Sequence, residues 1–155
     1  MKLRELCSTN VVLVDPLASL REAALLMRNS HVGALVVAEY KGAVARPVGT
    51  LTDRDIVVAV IAVLGASLEG IRVGDAMSTP LAFAREDDGI FEAVAVMRER
   101  AVRRLPVVAR DGSLLGIVTL DDLLLVISTE LANLSEALRW SRKRELAQRK
   151  ALELP

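Results

Sequence analysis

The sequence predicts a mixed α/β fold of the α+β type: two copies of one β-α-β-β-α unit, related by a pseudo-twofold axis and packed sheet to sheet, followed by a C-terminal helical extension. Three observations carry this. Gly49-Thr50-Leu51-Thr52-Asp53-Arg54-Asp55-Ile56 returns 67 residues later as Gly116-Ile117-Val118-Thr119-Leu120-Asp121-Asp122-Leu123. Leu20-x-Glu22-Ala23-x-x-x-Met27-Arg28 returns 70 residues later as Ile90-x-Glu92-Ala93-x-x-x-Met97-Arg98. Between these echoes, strand-like apolar runs and helix-spaced apolar residues follow one another in the same order in both copies. The change of offset falls between Gly42 and Gly49, so the first copy carries three extra residues, expected in a loop. A unit of about 60 residues is close to the lower limit for folding alone. The copies are therefore expected to pack on each other, with a cleft near their axis.

Each element has a local reason. A short strand over Val11–Val14 precedes Asp15-Pro16, where proline suits a helix start because its missing N–H is not needed there. The helix continues to Arg28 with Leu20, Ala23, Ala24 and Met27 at helical spacing, and Asn29-Ser30 breaks it. Ala34–Ala38 and Pro47–Leu51 read as strands around a loop containing Gly42. Thr52 opens a second helix to about Leu64. In the second copy, strands lie near Leu81–Ala84, Leu105–Ala109 and Leu115–Thr119, and helices near Asp88–Arg100 and Leu120–Leu134. Val73-Gly74-Asp75-Ala76-Met77 bridges the copies, and Leu3–Cys7 holds the same place ahead of the first. The first unit thus covers residues 1–68 and the second 69–135. A basic helix or tail over 136–155, helical to about Leu152, has no counterpart in the first copy.

Composition bounds the function. Residues that are 52% hydrophobic and 26% charged describe a folded chain with a sizeable core. Aromatics are only 3%, so a planar ligand would lie between aliphatic side chains and backbone rather than on rings. The formal net charge is zero, so no global field draws in nucleic acid or acidic membrane. The stretch Arg139–Lys150 is basic nonetheless, with Glu145 as its one acid. It reads as a solvated or partner-facing helix, or as a contact for an anionic partner. Nucleic acid bound through so few cations would be held weakly and non-specifically, and is not expected as a partner.

Cys7 is the single cysteine, which excludes an intramolecular disulfide and fits a reducing compartment, the cytoplasm. His31 is the single histidine, so no site needs two, and no metal site is expected. Met1-Lys2-Leu3-Arg4-Glu5-Leu6 mixes both charges with apolar residues and is no secretory signal. The longest uncharged apolar stretch, Ile56–Leu68, has 13 residues, short of the roughly 20 that span a bilayer. It reads instead as a helix buried all round, one face on the sheet and the other on a second unit or chain. A homodimer is expected on that ground.

The duplicated Thr-x-x-Asp has two readings. Thr52 and Thr119 can cap a helix, with Asp55 and Asp122 as the acidic partner three residues later. The same helix N-terminus, preceded by glycine, also suits an anion, and a carboxylate beside a hydroxyl suits the vicinal diol of a ribose. Catalysis is not expected. One His, one Cys and no P-loop leave little for a nucleophile-base pair, and the adjacent pairs Asp87-Asp88 and Asp121-Asp122 diverge by about 100° on a helix.

Further pieces occur in a specific order: Met77-Ser78-Thr79-Pro80; Glu86-Asp87-Asp88 before a helix with Glu92-Ala93; Arg103-Arg104-Leu105-Pro106-Val107-Val108; and the two Gly-h-h-Thr-x-x-Asp endings, Thr52-Asp53-Arg54-Asp55-Ile56 above all. From about Leu3 to Leu134 the chain resembles a tandem pair of CBS domains, the Bateman module. The resemblance implies a regulatory, non-enzymatic energy-sensing module that needs no obligatory cofactor and binds AMP, ADP or ATP. S-adenosylmethionine, NADH and cyclic dinucleotides are lesser alternatives. The output would pass to a separate regulated protein. A dimeric scaffold that docks a partner without a ligand is the alternative.

The resemblance also implies roles. Asp55 and Asp122 would bond ribose hydroxyls, with Thr52 and Thr119 beside ribose or phosphate. Val11, Val12, Leu81 and Ala82 would enclose adenine, and Arg54, Arg103, Arg104 and His31 would meet phosphates. Plainer roles stand beside these. Arg54 can face solvent in a first helical turn, strand alternation would turn one of Arg103 and Arg104 outward, and His31 can be an ordinary loop residue. The first copy departs from the pattern, with Cys7 and Asn10 in place of the usual Met and Pro. Gly33-Ala34 also stands where the second copy has Arg103-Arg104. The two clefts are therefore expected to be unequal.

Overall fold

The computed structural model describes residues 1–65, 68 and 70–152. Ala66 and Ser67 of the long apolar stretch, Glu69, and residues 153–155 of the tail lie outside the described residues. By compactness the chain divides into Met1–Leu120 and Asp121–Pro155.

The first repeat runs α1 (Leu3–Leu6), β1 (Leu13–Val14), α2 (Leu20–Ser30), β2 (Ala34–Lys41), β3 (Val44–Thr52), a π-helical stretch (Asp55–Ile61) and α3 (Ala62–Leu64). The second runs α4 (Val73–Ala76), β4 (Ala84–Arg85), α5 (Ile90–Arg100), β5 (Arg104–Val108), β6 (Leu114–Thr119) and α6 (Leu120–Leu152). Among the described residues the strands make two three-stranded sheets, β1-β2-β3 and β4-β5-β6. In each, the first pair is parallel and the second antiparallel. The sheets meet through β3 and β6, which is the sheet-to-sheet arrangement the duplication predicts.

Several boundaries differ from expectation. Asp15-Pro16 does not open α2: Asp15 Oδ1 accepts from Leu17 N–H at 2.7 Å, which folds this dipeptide into a turn. The helix starts after Ser19, whose Oγ accepts from Glu22 N–H at 3.2 Å while Glu22 Oε2 accepts from Ser19 N–H at 2.8 Å. That reciprocal capping box outweighs the proline signal. Asn29-Ser30 remains helical, and the break comes at His31, which is left-handed at φ 53. Ala101 ends α5 in the same way. The three extra residues are not spent on a loop. They lengthen the β2-β3 ladder, which turns at Gly42 (φ 65), whereas residues 109–113 connect the shorter β5 and β6.

The core of the first sheet packs Leu20, Ala23 and Met27 of α2 on Leu35 and Val37 of β2 and Leu51 of β3. No polar or charged side chain is buried among the described residues. The apolar helix following Thr52 is not buried all round within this chain. Ile56 and Val60 are buried on the sheet, but Val57, Val58 and Ile61 are exposed, and Val63 is 73% exposed. A single sheet covers a single helix face.

The segments that lead into the repeats show a relation invisible to a linear reading. Leu3 and Arg4 donate to Asp88 O (2.9 Å) and Glu86 O (3.1 Å), and Ser8 exchanges two 2.9 Å backbone bonds with Ile117 of β6. So α1, ahead of the first repeat, is held by the second. Reciprocally, Val73 donates to Ala18 O and Gly74 to Pro16 O, both at 2.9 Å, and Ser78 donates to Thr50 O of β3 at 2.8 Å. Val73 belongs to the first core. The duplicated glycine of each ending is explained here. A Cβ on Gly116 would stand 2.6 Å from Ser8 O and 2.8 Å from Cys7 Sγ, and one on Gly49 would stand 2.7 Å from Met77 Sδ. Cys7 is half-buried in this crossing, and burial pushes its thiol pKa up.

An ion cluster fastens the first crossing. Asp87 Oδ1 accepts from Lys2 Nζ at 2.7 Å and an Arg4 guanidinium nitrogen at 2.9 Å, while Oδ2 accepts from Arg110 at 2.7 and 3.1 Å. Hydrogen bonds from Lys2 and then Arg110 hold the Asp87 carboxyl down at about 2. Asp88 turns elsewhere, its Oδ2 accepting from Arg85 N–H at 2.7 Å.

Two outcomes follow from these crossings. Gly116→Ala meets backbone that paired hydrogen bonds hold in place, and should cost about 1–3 kcal/mol in denaturant unfolding. Gly49→Ala should cost less, because the nearest obstacle is a flexible methionine. Asp87 has a depressed folded pKa, so its contribution is full above the ordinary carboxylate value of 3.8 and is lost as pH falls toward about 2. Unfolding curves collected from about pH 5 to pH 2 should therefore be flatter for Asp87→Asn than for the parent chain.

Candidate functional site

Two adjoining clefts open where the sheets meet, and each takes walls from both repeats. The larger, about 400 Å³, is lined by Thr50, Thr52, Asp53, Arg54 and Asp55 of the first repeat. Ser78, Arg100, Ala101, Val102, Arg103 and Arg104 of the second repeat face them. The smaller, about 260 Å³, sets Asn10, Val11, Val12 and residues 31–34 of the first repeat against Arg104, Ile117 and Thr119 of the second. The two are related by the internal symmetry: residues 31–34 in one take the place of residues 101–104 in the other, and Thr119 takes the place of Thr52. Each leading segment thus shares a cleft with the ending of the opposite repeat.

The chain places these groups for local reasons. Thr52 is the last residue of β3, and the helical turn that follows is capped through its side chain. Asp55 N–H donates to Thr52 Oγ1 at 3.1 Å, while Asp55 Oδ2 accepts from Thr52 N–H at 2.8 Å and from Thr52 Oγ1 at 2.7 Å. The capping reading of this motif is realised, with Asp55 Oδ1 left outside these bonds. Both groups are half-buried at the cleft wall. Asp53 and Arg54 fall in the exposed first turn, with Arg54 N–H bonded to Asp53 Oδ1 at 2.7 Å.

Arg103 and Arg104 both reach the larger cleft, so alternation along β5 does not remove one of them. Arg103 precedes the strand, where the extended two-residue period does not yet apply. Arg104 lines both clefts, together with Ala34, Val36 and Ile117. His31 is exposed at the left-handed end of α2 and lines the smaller cleft beside Val11 and Val12. Leu81 and Ala82 are half-buried just before β4 and are not among the residues lining the larger cleft. Asp122 stands in the first turn of α6, three residues after Thr119.

Arg100 and Asp53 line the larger cleft without having stood out in the sequence. Arg100 sits at the last position of α5, where a cation ordinarily serves the helix dipole. The density of Arg98, Arg100, Arg103 and Arg104 around the end of that helix was the available signal.

The two clefts are electrostatically unequal. Four arginines (Arg54, Arg100, Arg103, Arg104) and two aspartates (Asp53, Asp55) line the larger one. The smaller has Arg104 as its one formally charged lining residue. The difference traces to Gly33-Ala34. Asp53 N–H donates to Gly33 O at 3.2 Å, and a Cβ on Gly33 would already meet the Asp53 carboxylate at 3.2 Å. Among the described residues no three His, Cys, Asp or Glu side chains gather as a metal site. Nor is any described helix long and apolar enough to cross a membrane.

Comparison with known proteins agrees with the duplicated fold. Residues 3–62 and 73–129 each match the CBS domain family. The chain is 33% identical over 135 residues to an uncharacterized protein of Methanopyrus kandleri, covering 87% of this chain and 67% of that one. It is 36% identical over 121 residues to the CBS domain-containing protein YhcV of Bacillus subtilis, covering 77% of this chain and 81% of that one. Among solved structures, Hypoxic Response Protein I with two coordinated zinc ions superposes with a TM-score of 0.69 at 31% identity, covering 80% of this chain and 97% of that one. A hexameric CBS-CP12 protein from bloom-forming cyanobacteria gives a TM-score of 0.68 at 27% identity, covering 81% of this chain and 71% of that one.

Proposed function

Because the chain belongs to the CBS domain family and carries two of its domains in tandem, we propose that it is a non-catalytic regulatory module that binds an adenine nucleotide in the larger of its two clefts. AMP, ADP and ATP are the ligands considered. The observation that supports this most is the placement of Thr52 and Asp55 opposite Arg100, Arg103 and Arg104 across one opening. A hydroxyl and carboxylate suit a ribose, and planar guanidinium groups suit phosphate. The larger cleft falls within the range of about 300–1,000 Å³ usual for small-molecule sites, and the smaller falls below it.

Asp55 Oδ1, outside the capping bonds, is the atom that receives a ribose hydroxyl. Arg54, Arg103 and Arg104 meet phosphates, so affinity rises from AMP to ATP. In the smaller cleft, Val11 and Val12 supply an aliphatic enclosure with Thr119 and His31 at its rim. That cleft takes a second nucleotide weakly. Leu81 and Ala82, which do not line the larger cleft, take no part in enclosing the ligand there. Signalling follows from differential affinity: a ligand touching both repeats favours one arrangement of them over another. The chain acts as a homodimer through the exposed Val57, Val58, Ile61 and Val63, and its output passes to a separate regulated protein in the cytoplasm.

The exposed apolar face also favours a second reading, a dimeric scaffold without a ligand. Calorimetric titration with AMP and ATP separates the two. Binding is expected, tighter for ATP, and Asp55→Ala should weaken it by about 1.5–3 kcal/mol, the size of a hydrogen bond to a charged group. Arg103→Ala should erase the preference for ATP over AMP. No heat with any nucleotide favours the scaffold, and an Asp55→Ala that loses stability without losing affinity leaves capping as that residue's whole role.

A further inference from the structure

The helix α6 (Leu120–Leu152) is 33 residues long, or about 50 Å at 1.5 Å per residue. Leu124, Ile127, Leu131, Leu134 and Leu138 recur along it at alternating steps of three and four, the 3.5-residue period of a coiled-coil seam. Leu131 is 59% exposed, and Leu134 and Leu138 are each 63% exposed. Ser128, Glu130, Ser135 and Glu136 lie off the stripe, so the apolar band is narrow there. It suits one partner helix rather than a sheet.

Charge along the helix is segregated by length. From Asp121 to Leu138 it carries Asp121, Asp122, Glu130 and Glu136 with no Lys or Arg. From Arg139 to Arg149 it carries Arg139, Arg142, Lys143, Arg144 and Arg149 against Glu145 alone. A parallel pair of such helices would set basic half beside basic half. An antiparallel pair sets acidic against basic at both ends.

We propose that a second copy of this chain pairs with the first through α6, antiparallel along this seam. In the register that fits both patterns, Leu131 faces Leu134 of the second copy and Ile127 faces Leu138 of the second copy, with Leu124 opposite Ser141. Each contact occurs twice. The twofold axis passes between residues 132 and 133, and Asp121 comes opposite Arg144 of the second copy at either end. Such an interface uses the same patch on both chains and closes on itself. It is separate from the nucleotide reading and from the apolar face at Val57–Val63.

Spin labels on the full chain test it, in a Cys7→Ser background. Labels at Asn133→Cys, beside the axis, should lie within about 20 Å of each other given the width of two packed helices. Labels at Arg149→Cys should lie about 50 Å apart, from 1.5 Å of rise per residue on each side of the axis. Leu134→Glu should remove the short distance while leaving helix content unchanged. Short distances at both positions would mean parallel pairing and overturn the proposal. So would a chain without a short distance at 133, whether monomeric or dimerised elsewhere.

Discussion

The close backbone crossing of each leading segment over the opposite repeat is the constraint on which the rest of the molecule depends. Ser8 can bond Ile117, and Ser78 can bond Thr50, only where the sheet residue alongside has no side chain in the way. Gly116 and Gly49 provide that approach. Because α1 is fastened to the second repeat and α4 to the first, neither repeat is complete without the other. Each unit is close to the minimum foldable size, and the first completes its core with Val73 from the segment that leads into the second. The clefts inherit this exchange, and each collects groups from both halves of the chain.

Duplication made two clefts, and divergence made them unequal. Small changes suffice. Where the second repeat carries Arg103-Arg104, the first carries Gly33-Ala34, and Asp53 closes against that glycine. Cationic groups are therefore gathered at the larger cleft, with Arg104 alone shared by both. A polyanion drawn to that cluster would touch residues from 52 to 55 and from 100 to 104 together. Such a ligand would gain leverage over the relation between repeats, the requirement for any shift of population.

Much of the fold was legible in sequence because its signals are local. The repeat, the strand runs and the helical spacing of Leu20, Ala23 and Met27 all lie within a few residues of one another. Where two local signals competed, as with Asp15-Pro16 and Ser19-Glu22 at the start of α2, the order of the chain alone did not rank them. The hydrogen bonds did. Long-range relations were not legible. The exchange of leading segments pairs residues more than a hundred positions apart, such as Ser8 and Ile117. Without it, Gly49 and Gly116 looked like features of a helix N-terminus. The candidate site was legible in part: Thr52, Asp55, Arg54, Arg103 and Arg104 converge on one cleft. Arg100 was missed because a cation ending a helix has an ordinary explanation in the dipole.

The proposed ligand site, assembled from both repeats at once, is tested most directly by backbone amide shifts followed by NMR during ATP titration. The expected result is concerted, saturable perturbation of two separated stretches, Thr52 to Asp55 and Arg100 to Arg104, with one shared affinity. Perturbation confined to a single repeat, or absent from both stretches at saturating nucleotide, would contradict it.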